Sequence, residues 1–403
     1  MELRHKICII GAGPAGLVLA NILNNAGIDC IVLDRRGRDE ITKCHRAGLI
    51  DHRSLLALKK HNLAQGLLQY GQPHTICEFR MSQVDFLLEY TQLSGGAMHY
   101  IYPQQELIKD LIQNFEQAHG TIRFNTEATF VINENGAEVE YYDKKQKNSK
   151  RMACDFIAGC DGFHGISRRS VPSTHARIFE RYYDSSWLAI LAEAPPSANH
   201  IIYALHPNGF AGHMLRSDKV SRYYLQVKNT DDVNNWPDER VWTELELRLG
   251  KEGWRLIQGE ILEKQIIPMR NFVIEPMQYQ RLFLAGDSAH IITPAGGKGM
   301  NLAIQDSLVL GELFVGHYRG DFSADLNAYS SIRLPDIWHA QEFSSSFLDI
   351  LSRSNDAFET DLFTRKLNES RLLQLRDNPL VATDFSKKYA GAMADPHHYA
   401  YGN

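Results

Sequence analysis

The sequence contains no run of about 18 uninterrupted apolar residues, no CxxC pair, and no excess of positive charge. The first absence excludes a membrane-spanning helix. The 43 Lys and Arg against 48 Asp and Glu give a formal charge of −5. Such a mildly acidic chain has no electrostatic footprint for nucleic acid or an anionic membrane. The six cysteines are Cys8, Cys30, Cys44, Cys77, Cys154 and Cys160. Several lie inside apolar runs, so they read as reduced, buried thiols of a cytoplasmic protein and not as a disulfide framework. No metal is expected. Internal repeats and low-complexity linkers are missing as well. Residues 7–20 are small and apolar after Arg4, His5 and Lys6. Gly11, Gly13, Pro14 and Gly16 break that stretch, and no small-x-small site follows, so it is not read as a signal peptide.

What is present belongs to a folded protein. At 403 residues the chain exceeds one ordinary core, which predicts two or three domains. Hydrophobic residues at 44% and charged residues at 23% exclude disorder. The 17 Tyr and 18 Phe are a mild aromatic excess that suits a core better than a flat-ligand pocket.

The opening reads as strand, Gly-rich turn, helix, strand, a βαβ unit of about 30 residues. Residues 121–142 alternate polar and apolar around Asn135-Gly136, which predicts a hairpin. Residues 187–228 alternate again, as an antiparallel sheet does. Helices are predicted near 105–119, 238–249, 301–320 and 325–353, and a buried strand at 281–285. The α/β character thus appears early, gives way to an antiparallel block, and returns. The expected fold is mixed α/β: a Rossmann-like parallel sheet over 1–182 together with 270–300, an inserted β-rich domain over 183–269, and a helical region over 301–403.

Three motifs carry chemistry. The first is Gly11-Ala12-Gly13-Pro14-Ala15-Gly16 with Asp34 closing the second strand. In this pattern one glycine makes the tight turn, one admits a pyrophosphate to the backbone, and one lets helix and strand pack closely. The helix N-terminus supplies free N–H groups for phosphates, and Asp34 suits a ribose. The second motif is Cys160-Asp161-Gly162-Phe163-His164-Gly165 after an apolar run. The third is Gly286-Asp287-Ser288-Ala289-His290, followed by Pro294 and the glycines at 296, 297 and 299. There Asp287 can reach a polyol hydroxyl at the sheet edge, and the next helix start can face a developing negative charge.

GxGxxG, DGFHG and GDxAH in this order resemble the class A flavoprotein aromatic hydroxylases. IAGCDGFHGISR, DERVWTELELRL, SRYYLQV, VIEPMQYQRLFLAGDSAHI and GGKGMNLA look like the members that act on para-hydroxybenzoates. The likeness runs from about residue 5 to about 393 and weakens over 75–100 and past 350. It implies FAD as cofactor and NADPH as reductant, with NADH left open. It further implies a small aromatic carboxylic acid and O2 as partners, and a homodimer. FAD would be held by Gly11, Gly13, Gly16, Asp34, Arg46, Gln104, Asp287, Gly299, Met300 and Asn301. Arg35, Arg46, His164 and Arg270 match positions associated with NADPH. Arg216 and Tyr224 match a clamp on the substrate carboxylate. Tyr203, Tyr389 and His74 match a relay that removes the phenolic proton, and Pro294 lies in the matching flavin loop.

Three positions depart from the family. Met214 replaces a serine that helps hold the carboxylate, Ala295 a threonine, and Gly212 a wall leucine. The implied activity is hydroxylation of a para-hydroxy aromatic acid ortho to its hydroxyl, through a flavin C4a-hydroperoxide. The departures make a related acid, such as 4-aminobenzoate or a ring-substituted 4-hydroxybenzoate, the alternative. A flavin halogenase is the weaker reading, because the WxWxIP motif is missing.

Overall fold

The computed structural model describes residues 3–44, 48–81, 84–353 and 358–392. Two eight-stranded sheets dominate it. In the first, Leu3–Ile10 lies between Cys30–Leu33 and Asn148–Gly159, parallel to both. Thr121–Arg123 and Leu282–Leu284 extend the parallel set on either side. Ile7–Ile10, Cys30–Leu33, Phe156–Ala158 and Leu282–Leu284 are buried on both faces, which is why they read as continuous apolar runs. Pro14–Asn25 follows the first strand, with Pro14 at the first helical position, where its missing N–H has no cost. This helix is buried throughout residues 15–23. Gly311 of the helix Gly299–Arg319 crosses it so closely that a Cβ there would stand 2.7 Å from Ile22. The predicted hairpin forms from Thr126–Asn133 and Gly136–Asp143, while Thr121–Arg123 belongs to the parallel set.

The second sheet runs His290–Ile291, Glu260–Glu275, Arg177–Glu193, Ser221–Lys228, Gly209–Leu215, Ile201–His206, Cys77–Met81, Val84–Leu88. All its pairs are antiparallel except Ile201–His206 with Cys77–Met81. One face packs on the helix Asp238–Leu249 through Val241, Trp242, Leu245 and Leu249. The other face packs on the C-terminal helices through Phe343, Phe347, Leu348 and Tyr389. A small sheet of Leu49–Ile50, His99–Ile101 and Gln72–His74 sits beside it.

The linear division of the sequence is crossed twice. Cys77–Leu88 lies before residue 182 yet completes the second sheet. The helix Gly299–Arg319 was grouped with the C-terminal region, yet it packs on Pro14–Asn25, and Ser307 Oγ donates to Ala15 O at 2.7 Å. All six cysteines are free, and five are buried.

A buried ionic cluster joins these parts. Asp306, fully buried, accepts from Gly286 N at 2.9 Å, His290 Nε2 at 2.6 Å and Arg333 Nε at 2.8 Å. Arg333 also pairs with Asp336 at 2.7 Å, and Arg53 closes on the same Asp336 at 2.7 Å. The His290 and Arg333 charges and hydrogen bonds hold the Asp306 carboxyl below the usual carboxylate range against its burial. Arg333 and Arg53 do the same for Asp336.

Removing one member of such a cluster strands a buried charge. Asp306→Ala is expected to cost about 3–5 kcal/mol, read from the denaturant midpoint, and a loss under about 1 kcal/mol would contradict this account. Because both folded-state values are depressed, the carboxylates stabilise the fold fully above the unfolded value of about 4. Their contribution is lost only as pH falls through the folded values below that range. Acid unfolding monitored by circular dichroism is therefore expected to shift to higher pH in Asp336→Asn.

Candidate active site

The first strand ends in the glycine turn. Gly11 has φ +110°, and its N–H bonds Leu33 O at 2.7 Å. A Cβ at Gly11 would stand 2.3 Å from Cys160 O, and one at Gly16 would stand 1.9 Å from Gly11 O. Packing alone thus requires both. Gly13 differs, because it has φ −82° and a Cβ there would meet nothing within 4 Å. Its bare backbone opens a cradle at the N-terminus of Pro14–Asn25, where the protein itself needs no glycine. That is the fit expected for a pyrophosphate.

Asp34 is only 4% exposed. It accepts from Ala12 N at 2.7 Å and from Arg36 through its backbone N (2.9 Å), Nε (3.2 Å) and Nη2 (3.0 Å). Arg36 therefore serves Asp34 and is not a free cation, while Arg35 is exposed. Arg46 lies outside the described residues. Gln104 opens the helix Gln104–Gln117 and is half-buried.

In the second motif, Asp161 accepts from Ser167 N at 3.0 Å, and a Cβ on Gly165 would collide with its carboxylate. The motif thus folds its own turn. Phe163 then lies under two guanidiniums, Arg270 at 3.8 Å and Arg168 at 4.3 Å, with His164 edge-on at 5.2 Å. This brings His164 and Arg270 together. The sequence reading missed Arg168, whose signal was an arginine five residues beyond the aromatic of the motif.

Asp287 is exposed at the turn after Leu282–Leu284, which the Gly286–Asp306 bond fixes. Gly297 N donates to Pro294 O at 3.0 Å, closing the loop before the helix Gly299–Arg319. Gly299 faces open space apart from Ile292 at 3.6 Å, and Met300 packs on the core. Asn301 was expected at the cofactor, but its side chain is committed elsewhere. It donates to Leu49 O (3.0 Å) and Gly297 O (2.8 Å) and accepts from Asp51 N (3.0 Å).

The substrate candidates share one face of the second sheet. Strand register lines up Phe79, Tyr203, Gly212, Tyr224 and Ala189 in one row. Arg216 follows the strand Gly209–Leu215 and lies against the Tyr224 hydroxyl. Burial pulls its guanidinium down to about 10, and among the described residues it has no carboxylate partner. Arg222, two positions before Tyr224 and paired with Met214, is also buried without an ion pair among the described residues. The sequence reading missed Arg222, although its alternation with Tyr224 placed both on one face. Gly212 stands where the resemblance places a wall leucine. A Cβ there would stand 2.9 Å from Phe210 Cζ and 3.2 Å from Met214 Cε, so neighbouring side chains fill that space. Ala295 is buried against the same cluster, with its carbonyl bonded by Ser344 Oγ at 3.0 Å.

Tyr203 and Tyr389, both buried, meet hydroxyl to hydroxyl at 2.9 Å. Burial pushes both phenols above their ordinary range. His74 does not complete this chain directly. Its Nε2 accepts from Ile201 N at 3.0 Å, and its Nδ1 meets Tyr90 Oη at 2.9 Å. Burial, with His200 adding, pulls the ring down to about 3, so it is neutral.

Comparison with known proteins agrees with this arrangement. The FAD binding domain family model matches residues 4–344. The p-hydroxybenzoate hydroxylase of Acinetobacter baylyi is 37% identical over 393 residues, 96% of each chain. The 3-amino-4-hydroxybenzoate 2-monooxygenase PtmB3 of Streptomyces platensis is 24% identical over 356 residues, covering 83% of this chain and 85% of its own. Among solved structures, the p-nitrophenol 4-monooxygenase PnpA from Pseudomonas putida superposes with a TM-score of 0.79 at 16% identity, covering 98% of this chain and all of its own. The family match over most of the chain and the 37% identical relative along its length lead to one conclusion: the chain belongs to the FAD-dependent aromatic monooxygenases.

Proposed function

We propose that the protein hydroxylates a para-hydroxy aromatic carboxylic acid ortho to its hydroxyl, with 4-hydroxybenzoate as the first candidate and NADPH as reductant. One observation carries the reading. A half-buried arginine without an acidic partner among the described residues, Arg216, lies against Tyr224 on the sheet face that also presents the Tyr203–Tyr389 hydroxyl pair. A planar carboxylate satisfies that guanidinium, with Tyr224 adding one bond. The phenol of the same ligand then meets Tyr203. Tyr389 donating to Tyr203 leaves the Tyr203 O–H to stabilise a phenolate, and the surrounding apolar cluster excludes water. An ionised ring is the electron-rich form that an oxygen electrophile needs. The refilled space at Gly212 favours 4-hydroxybenzoate over a bulkier relative.

Gly11, Gly13, Gly16, Asp34, Asp287 and the first turn of Gly299–Arg319 would hold FAD. A ribose reaches Asp34 by replacing one Arg36 contact. Bound FAD supplies the hydride acceptance and oxygen activation that no side chain provides. Arg35, His164 and Arg270 are the cations that would meet NADPH. Exposed Phe363, Leu367 and Leu380 on the C-terminal helices support a homodimer.

The test is a substrate panel with NADPH consumption and product identification. With 4-hydroxybenzoate, fast NADPH oxidation and 3,4-dihydroxybenzoate are expected. The uncharged 4-hydroxybenzamide should bind about 10- to 100-fold more weakly, as a lost hydrogen bond to a charged group implies. A panel in which 4-aminobenzoate or a ring-substituted acid has the higher kcat/KM favours the alternative, and no stimulation by any para-substituted acid rejects the proposal. Gly13→Ala is expected to keep the wild-type Tm of the flavin-free protein but to purify with little flavin. Gly16→Ala is expected to lose the fold, because its Cβ overlaps Gly11 O. Full flavin content in Gly13→Ala would remove the cradle from the account.

A further inference from the structure

The second-row neighbours of Tyr389 form a polar cluster that the reaction as described does not use. Tyr90 opens the short helix Tyr90–Leu93, and His99 opens the strand His99–Ile101. Both are fully buried, and their rings stand edge-on to Tyr389 with centroids at 4.9 Å and 4.8 Å. The Tyr90 hydroxyl donates to the His74 carbonyl. It lies 2.9 Å from His74 Nδ1 and 3.1 Å from His99 Nδ1, with the His99 amide at 3.4 Å.

The partners fix the tautomers. His74 Nε2 takes the Ile201 N–H, so neutral His74 carries its proton on Nδ1 and gives it to the Tyr90 oxygen. The Tyr90 proton is already committed to the His74 carbonyl. Its oxygen therefore faces His99 as an acceptor, and His99 also carries its proton on Nδ1. His99 Nε2 is buried on the side of the Tyr389 main chain. Lys298 Nζ holds the Tyr389 carbonyl at 2.8 Å and lies 3.5 Å from Asp51. Burial, with Lys298 and His74 adding, holds His99 well below its ordinary value. Cys77, Tyr203 and Tyr389 are the other titratable groups facing Tyr90 and Tyr389, and His200 faces His74.

We propose that Tyr90 and His99 are positioning residues of the relay: the Tyr90 hydroxyl fixes both imidazoles, and these hold the Tyr389 ring so that its hydroxyl stays on Tyr203. The inference rests on the functional reading above. It explains why His74 is turned to Tyr90 and not to Tyr389. It also explains a tyrosine and a histidine in a core that apolar residues could fill. Tyr389 kept in register donates to Tyr203, and Tyr203 can then donate to a phenolate. A Tyr389 ring free to turn weakens that donation and disfavours the charged form of the ligand.

The test uses flavin-loaded enzyme with 4-hydroxybenzoate bound and no NADPH. Difference absorbance follows phenol against phenolate from about pH 6 to 10. In Tyr90→Phe and His99→Val the ionisation midpoint of the bound ligand is expected to rise by about one pH unit, a tenfold loss of phenolate at fixed pH. kcat falls accordingly while KM stays near its wild-type value. His99→Asn keeps an N–H toward Tyr90 and is expected to restore the midpoint. Wild-type midpoints in Tyr90→Phe and His99→Val, whatever their Tm, overturn the inference while leaving the functional reading intact. A wild-type enzyme that ionises no para-hydroxy acid overturns the functional reading, and the inference with it.

Discussion

The carboxylate of Asp306 is where the two large sheets are tied together. On one side it holds Gly286 N, at the end of a strand of the parallel sheet, and on the other it holds His290. His290–Ile291 is the edge strand of the antiparallel sheet. Arg333 then fixes the same carboxylate to the helix Tyr329–Leu351, which carries Phe343 and Phe347 onto the substrate face. A buried charge is costly unless it is fully paired, and this one is surrounded by donors. The geometry that results is specific. Asp287 is turned outward, and the chain from Thr293 to Lys298 is led between the cofactor cradle and the aromatic face. Hydrophobic packing between the same elements would be nondirectional and would leave that loop without a defined course.

Much of this was legible in the residues because it is local. A glycine turn, the acid ending the next strand and the hairpin at Asn135-Gly136 each declare themselves within a few positions. The helix 238–249 matched its predicted span. What was not legible is what depends on distant pairing. Cys77–Met81 joins the second sheet through a parallel partner more than a hundred residues away, and its sequence carries no sign of that. Likewise nothing in the sequence around Arg36 shows that the turn folds its side chain back onto the Asp34 carboxylate. Nor does the sequence around Asn301 show that three main-chain groups claim its side chain.

The pocket wall gives the same lesson in the opposite direction. Counting side chains, the change to glycine at 212 removes volume. In three dimensions the Phe210 ring and the Met214 thioether lie where that volume would be. Close packing makes a single substitution a poor guide to cavity size, because neighbours on the same strand face can fill the space. Met is well suited to this, being unbranched and polarizable. The loss of a hydroxyl at 214 therefore changes the polarity at that end of the site more than its shape.

On the proposed function, the charge distribution would let one face bind an anion and still favour ionisation of a phenol. At one end Arg216 and Arg222 bring positive charge without acidic partners among the described residues. At the other, Tyr203, Tyr389, Tyr90, His74 and His99 are all neutral in the resting protein, each held so by burial. A neutral hydrogen-bonded chain does not compete with the guanidiniums for the carboxylate. Its oriented O–H dipoles nevertheless favour negative charge where the chain ends. In a dry site such oriented donors stabilise a phenolate more than mobile water would, because they are already aligned when the charge develops. This requires the chain to keep one direction, from Tyr389 to Tyr203. The fold places Tyr389 on the last described helix, Pro379–Ala390, against residues contributed by the small sheet and by the helix after Val84–Leu88. The last described helix is thereby held by some of the earlier elements, and on the proposed function the direction of the hydroxyl chain would be a property of the closed tertiary structure.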